Sequence, residues 1–113
     1  MNKNNSKYIE TNYSAIPVEL FSNYLEYLIS QIYKILPMSE QNDRTIISHL
    51  MNLQVEITGN LELMKKIKYD GNFQKVLANI EYLIHNKDLE IFKIRKIVLN
   101  TTNIIKKIKE KYF

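Results

Sequence analysis

Residues 46–64 read IISHLMNLQVEITGNLELM, and the placement of their apolar side chains decides what kind of fold the chain can adopt. Ile46, Leu50, Leu53, Ile57, Leu61 and Met64 step by 4, 3, 4, 4 and 3 residues. That spacing matches a helical period of about 3.6 residues and draws one unbroken apolar stripe along about five turns. A stripe of that length has to be covered, so the flanking sequence must supply further helices. Gly59 sits within this stretch at a cost of roughly 1 kcal/mol relative to Ala. The glycine points either to close approach of another helix or to a long helix that tolerates one glycine.

Working upstream, Val18, Phe21, Tyr24 or Leu25, Leu28, Ile32, Ile35 and Leu36 repeat at threes and fours. This predicts a first helix that opens at Pro17, a favoured first-turn residue, with Glu19 near the positive end of its dipole. Pro37 is expected to stop it, since the residue before a proline is pushed out of helical geometry. Ser39 is the expected cap of the second helix, with Glu40 and Asp43 in its first turn. Downstream, KYDGN at residues 68–72 reads as a turn in which glycine tolerates positive φ. A third helix carries Phe73, Val76, Leu77, Ile80, Leu83 and Ile84, and Asn86 is placed to end it. Asp88 then caps a fourth, which runs to about Lys109 on Ile91, Ile94, Val98, Thr101, Ile105, Ile108 and Tyr112, widened by Ile97 and Ile104. The expected architecture is all-α: an up-down-up-down four-helix bundle over residues 15–113, following a flexible, aperiodic N-terminal arm at 1–14.

The 113 residues suit a single domain, in which an exposed apolar face favours homo-oligomerisation. Two glycines and two prolines are too few for the turns of an all-β fold, and they leave no Gly-rich phosphate loop. The absence of cysteine removes disulfides, thiolate-bound metal and thiol catalysis. No apolar run is long enough to span a membrane, and MNKNNSKYIETNYS lacks a signal-peptide apolar segment, so a cytoplasmic location without membrane association is expected. His49 and His85 have no His-x-x-x-His or Glu-x-x-His spacing, and His49 borders the apolar stripe rather than a ligand set. Glu56 and Glu62 alone do not supply the carboxylates and histidines of a di-iron bundle. No enzyme activity, metal, cofactor or small-molecule substrate is expected.

Charge is unevenly distributed. Residues 1–64 hold four Lys/Arg against seven Asp/Glu, a net of −3, whereas residues 65–113 hold twelve against five, a net of +7. On a wheel of about 100° per residue with Lys93 at the origin, the isoleucines and Val98 of the fourth helix fall between roughly 20° and 160°. Arg95, Lys96, Lys106 and Lys107 fall between roughly 200° and 320°. Together with Lys93, Lys65, Lys66 and Lys68 they define a basic ridge for RNA or another polyanion. Among the aromatics, Phe21, Tyr24, Phe73 and Phe92 are assigned to the core by their spacing. Tyr27, Tyr33, Tyr69 and Tyr82 are candidates for a protein interface.

The stretch YLEYLISQIYKILPMSEQNDRTIISHLMNLQVEITGNLELMKKIK, residues 24–68, resembles the first two helices of a bacterial four-helix-bundle superfamily. That superfamily includes the accessory variability determinant (Avd) proteins of diversity-generating retroelements and the intervening-sequence proteins of large-subunit ribosomal RNA genes. The likeness rests on Ile32 and Tyr33 before Leu36 and Pro37, on the charged link with Glu40 and Arg44, on the stripe from Ile46 to Met64, and on Gly59 to Glu62. The third helix, FQKVLANIEYLI, is similar to that of the Avd group, and the likeness extends from residue 18 to about residue 86. The ending LNTTNIIKKIKEKYF departs from the Gly-rich, Trp-containing motif of Avd relatives. The resemblance implies a homopentamer forming a basic barrel that binds a reverse transcriptase and its template RNA. The expected function is therefore a non-catalytic oligomeric accessory protein. The alternative is a mobile-element or phage docking module acting through exposed tyrosine and apolar side chains.

Overall fold

A computed structural model describes residues 8–64, 67–86 and 88–112. The described chain is predominantly helical, with one small pair of strands. Strand β1 (Tyr8–Glu10) pairs antiparallel with β2 (Ala15–Pro17), placing Ile9 opposite Ile16. Residues 8–14 are therefore not the loose arm expected from sequence, and the arm's first seven residues lie outside the described ones. The reason lies far along the chain. Asn12 donates its backbone N–H to the Leu63 carbonyl at 2.7 Å and its Nδ2 to the Glu62 carbonyl at 3.0 Å. These carbonyls belong to the end of a helix, where no intrahelical donor remains, so the hairpin serves as a cap.

Helix α1 (Val18–Tyr33) begins after Pro17 and buries Phe21, Leu25, Leu28, Ile29 and Ile32. It ends at Tyr33 rather than at Pro37, and α2 (Ile35–Glu40) restarts at once with Pro37 in its first turn. A proline ring collides with the carbonyl four residues earlier, which here is Tyr33, so the break falls one turn upstream. Within a first turn the missing proline N–H removes no hydrogen bond. Ser39 consequently lies inside α2 instead of capping the next helix. The turn before α3 (Ile46–Glu62) is shaped by Asp43, whose Oδ1 accepts from the Thr45 N–H at 2.8 Å and the Thr45 hydroxyl at 2.6 Å. Asn42 takes the left-handed conformation at φ 52°, which asparagine tolerates.

Leu50, Leu53, Ile57, Leu61 and Met64 are buried as the stripe requires. Gly59 faces solvent, and a Cβ built there meets nothing within 4 Å, which removes the close-approach explanation. Gly59→Ala is accordingly expected to stabilise the fold by about 0.5–1 kcal/mol, read as a higher thermal midpoint. A lower midpoint would mean that the position is not an open helix surface.

After a short 3-10 turn (Ile67–Tyr69), Asp70 caps α4 (Gly71–His85). Gly71 is the first residue of this helix, and neither glycine has positive φ, so the expected glycine turn is replaced by a helix start. Asn86 ends α4, its Nδ2 donating to the Tyr82 carbonyl at 2.8 Å. The final helix, α5 (Ile91–Tyr112), takes its first backbone bonds at Glu90, whose carbonyl accepts from Lys93 and Ile94, so Asp88 is not its cap. Helix α5 packs against α1, α2 and α4, and α3 packs against α4. Side chains bridge α1 to α3: the Tyr24 and Tyr27 hydroxyls donate to Glu56, and His49 Nε2 lies 3.0 Å from the Gln31 carbonyl. Thr101 and Thr102 are fully buried in the middle of α5, returning their hydroxyls to the Ile97 and Leu99 carbonyls. Asn79 of α4 donates to the Thr101 hydroxyl at 2.9 Å and ties the two helices together.

Candidate nucleic-acid interface

Helix α5 buries Ile94, Val98, Ile104, Ile105 and Ile108 along one side. Because the helical period fixes the opposite side, the residues between these positions turn to water. Lys93, Arg95, Lys96, Lys106 and Lys107 are all exposed there. Among the described residues none of the five takes part in an ion pair. The helix carries no carboxylate before Glu110, so nothing on its own turns neutralises them. Two further cations of α5 are engaged elsewhere: Lys109 with Glu26 of α1, and Lys111 with Asp70 at 3.0 Å. The free cations thus fall in two groups, 93–96 and 106–107, roughly 16 Å apart along the helix. Lys65, Lys66 and the side chain of Lys68 lie outside the described residues, so the extension of the ridge beyond α5 rests on sequence alone.

The four tyrosines named from the sequence are exposed and belong to three different elements. Tyr27 and Tyr33 belong to α1, six residues and so roughly 120° apart around it, Tyr69 to the 3-10 turn and Tyr82 to α4. Tyr27 spends its hydroxyl on Glu56 at 3.1 Å. Burial, reinforced by Glu56, pushes both the Tyr24 and the Tyr27 hydroxyls above the ordinary phenol range, so both stay protonated.

Phe92 corrects the sequence reading. Its spacing predicts a core position, yet it is 47% exposed, and Leu99, two turns further on, is 44% exposed. The same helical wheel carries the signal that would have placed them: at about 100° per residue both fall near roughly 250°, amid the cations.

Elsewhere, an open cleft of about 670 Å³ is lined by Ile47, Ile84, His85, Asn86, Asp88 and Leu89. His85 there leans on Glu81 at 3.4 Å, and both side chains are largely solvated. A smaller apolar recess of about 250 Å³ lies between the hairpin, α1 and the end of α3. Among the described residues no three His, Cys, Asp or Glu side chains gather where a metal ion could be held. No described helix is long and apolar enough to cross a membrane. No protein-family model, curated protein or solved structure matches this chain.

Proposed function

We propose that the protein is a non-catalytic accessory factor that binds RNA through the exposed side of α5. The observation carrying this reading is the set of five exposed cations on one helix, free of ion pairs among the described residues and without a carboxylate between Ile91 and Lys109. Charges arranged in that way displace counterions from a phosphate backbone, which is the main source of sequence-independent nucleic-acid affinity. In this reading the four long helices form an up-down-up-down bundle that holds α5 rigid, and copies of the bundle assemble into a homo-oligomer. The resemblance of residues 18–86 to the Avd and ribosomal intervening-sequence group supports a pentamer and a reverse transcriptase as a further partner.

The test is fluorescence anisotropy with a labelled RNA across roughly 50–200 mM salt, alongside light scattering for the mass. Affinity should fall steeply with salt. The double variant Lys106→Gln/Lys107→Gln should flatten the logarithmic salt slope by about 1.4–1.8, at roughly 0.7–0.9 per lost phosphate contact. Binding that ignores salt, or a slope unchanged in the variant, would overturn the reading. Either result would turn attention to the docking alternative through exposed tyrosine and apolar side chains.

A further inference from the structure

We propose that the RNA held by α5 is single-stranded and that Phe92 is the platform on which one of its bases stacks, an inference that rests on the α5 reading above. Helical geometry orders the exposed side of α5 into three lanes. Phe92, Leu99 and Asn103 run along the centre, and all three are exposed. Arg95 and Lys106 flank them on one side, and Lys96, Lys107 and Lys93 on the other. Asp88 and Glu90 precede this track and Glu110 closes it, so unopposed positive charge is confined to the turns between them.

A duplex presents phosphates to a charged face and keeps the faces of its bases stacked inside, so an aromatic ring at the centre of the track would gain nothing from it. A single strand has free base faces, and every base can stack on an aromatic ring while its phosphates reach the flanking cations. Arg95 and Lys96 lie three and four residues beyond Phe92, which puts them on the same side of the helix one turn away. Leu99 and Asn103 extend the lane with an apolar contact and an amide able to donate and accept. The apolar lane is too sparse for a partner helix, which needs anchors at i, i+3 or i+4, and i+7. Here the positions three and four beyond Phe92 are Arg95 and Lys96, and those beyond Leu99 are the buried Thr102 and the polar Asn103.

The experiment compares binding of a labelled oligouridylate of about twelve nucleotides with that of a duplex of equal length, for the wild type, Phe92→Ala, Phe92→Trp and Lys106→Gln/Lys107→Gln. The wild type should prefer the single strand. Phe92→Ala should weaken single-strand binding by about tenfold to a hundredfold, with the salt slope and duplex binding unchanged, and Phe92→Trp should retain the affinity. Because Phe92 is exposed, helical content should be the same in all variants, and circular dichroism checks this. Equal or tighter duplex binding, or a neutral Phe92→Ala, overturns the stacking proposal. If the lysine variant still weakens binding in that case, the α5 reading survives without it; if no RNA binds even at low salt, both fall.

Discussion

Truncating Phe21 to Ala is expected to destabilise the protein by about 3–5 kcal/mol, a large share of the roughly 5–15 kcal/mol that holds a typical domain folded. Phe21 is almost completely buried, and its ring meets Phe73 at 6.3 Å and Tyr112 edge-on at 6.0 Å between centroids. One residue of α1 thus contacts the start of α4 and the end of α5. Losing it leaves a cavity at a junction of three helices and removes two aromatic contacts, each of about 0.5–1.5 kcal/mol beyond burial. Chemical denaturation should show the loss at an unchanged m-value. Leu20→Ala is the control next door: its side chain is 57% exposed, and its effect should stay within about 0.5 kcal/mol. A loss below about 1 kcal/mol for Phe21→Ala would mean that the three rings do not meet.

Asp70→Ala should follow closely, with a loss of about 2–4 kcal/mol. The carboxylate accepts the Asn72 N–H at 2.8 Å as the cap of α4, and also the Tyr112 hydroxyl at 2.8 Å and the Lys111 ammonium at 3.0 Å. A single side chain therefore starts one helix and fastens the last turn of another. Removing it forfeits the cap and leaves a half-buried phenol without its acceptor. Lys111 is largely exposed and can return to water, so Lys111→Ala should be much milder than Asp70→Ala. Comparable losses from the two would contradict this division of roles.

The same cluster predicts a pH dependence. Burial raises the pKa of the Asp70 carboxyl, but the hydrogen bonds from Lys111, Asn72 and Tyr112 outweigh it and hold the group below the ordinary aspartate value. A group depressed in the folded state contributes stability that is fully present above its unfolded pKa of about 3.9. That contribution is lost as the pH falls through the lower folded value. Thermal melting of Asp70→Asn against the wild type isolates this part of the acid response: the gap between them should be constant near neutrality and should narrow below about pH 4. A gap independent of pH would show that the charge of Asp70 is not what matters.

The stripe from Ile46 to Met64 and the repeats at Phe21 to Ile32, Phe73 to Ile84 and Ile94 to Ile108 were legible because burial follows the local helical period. Exposure of Lys93, Arg95, Lys96, Lys106 and Lys107 was legible for the same reason: once one side of α5 is apolar, the other side is determined. Phe92 was legible too, through its angle. Leu63 and Glu62 meeting Asn12, Asp70 meeting Lys111 and Tyr112, and Glu56 meeting two tyrosines were not, since each pairing spans between 29 and 51 residues and depends on how elements pack. The sequence by itself determined that the four long helices form and which side of each is apolar, because both depend on side chains three and four residues apart, whereas the break at Tyr33 and the short helix α2 were not expected from it. Only the tertiary structure decided that residues 8–17 cap α3 and that the last turn of α5 is anchored to Asp70. Those polar groups find partners only after distant segments are brought together, and no local periodicity encodes that distance.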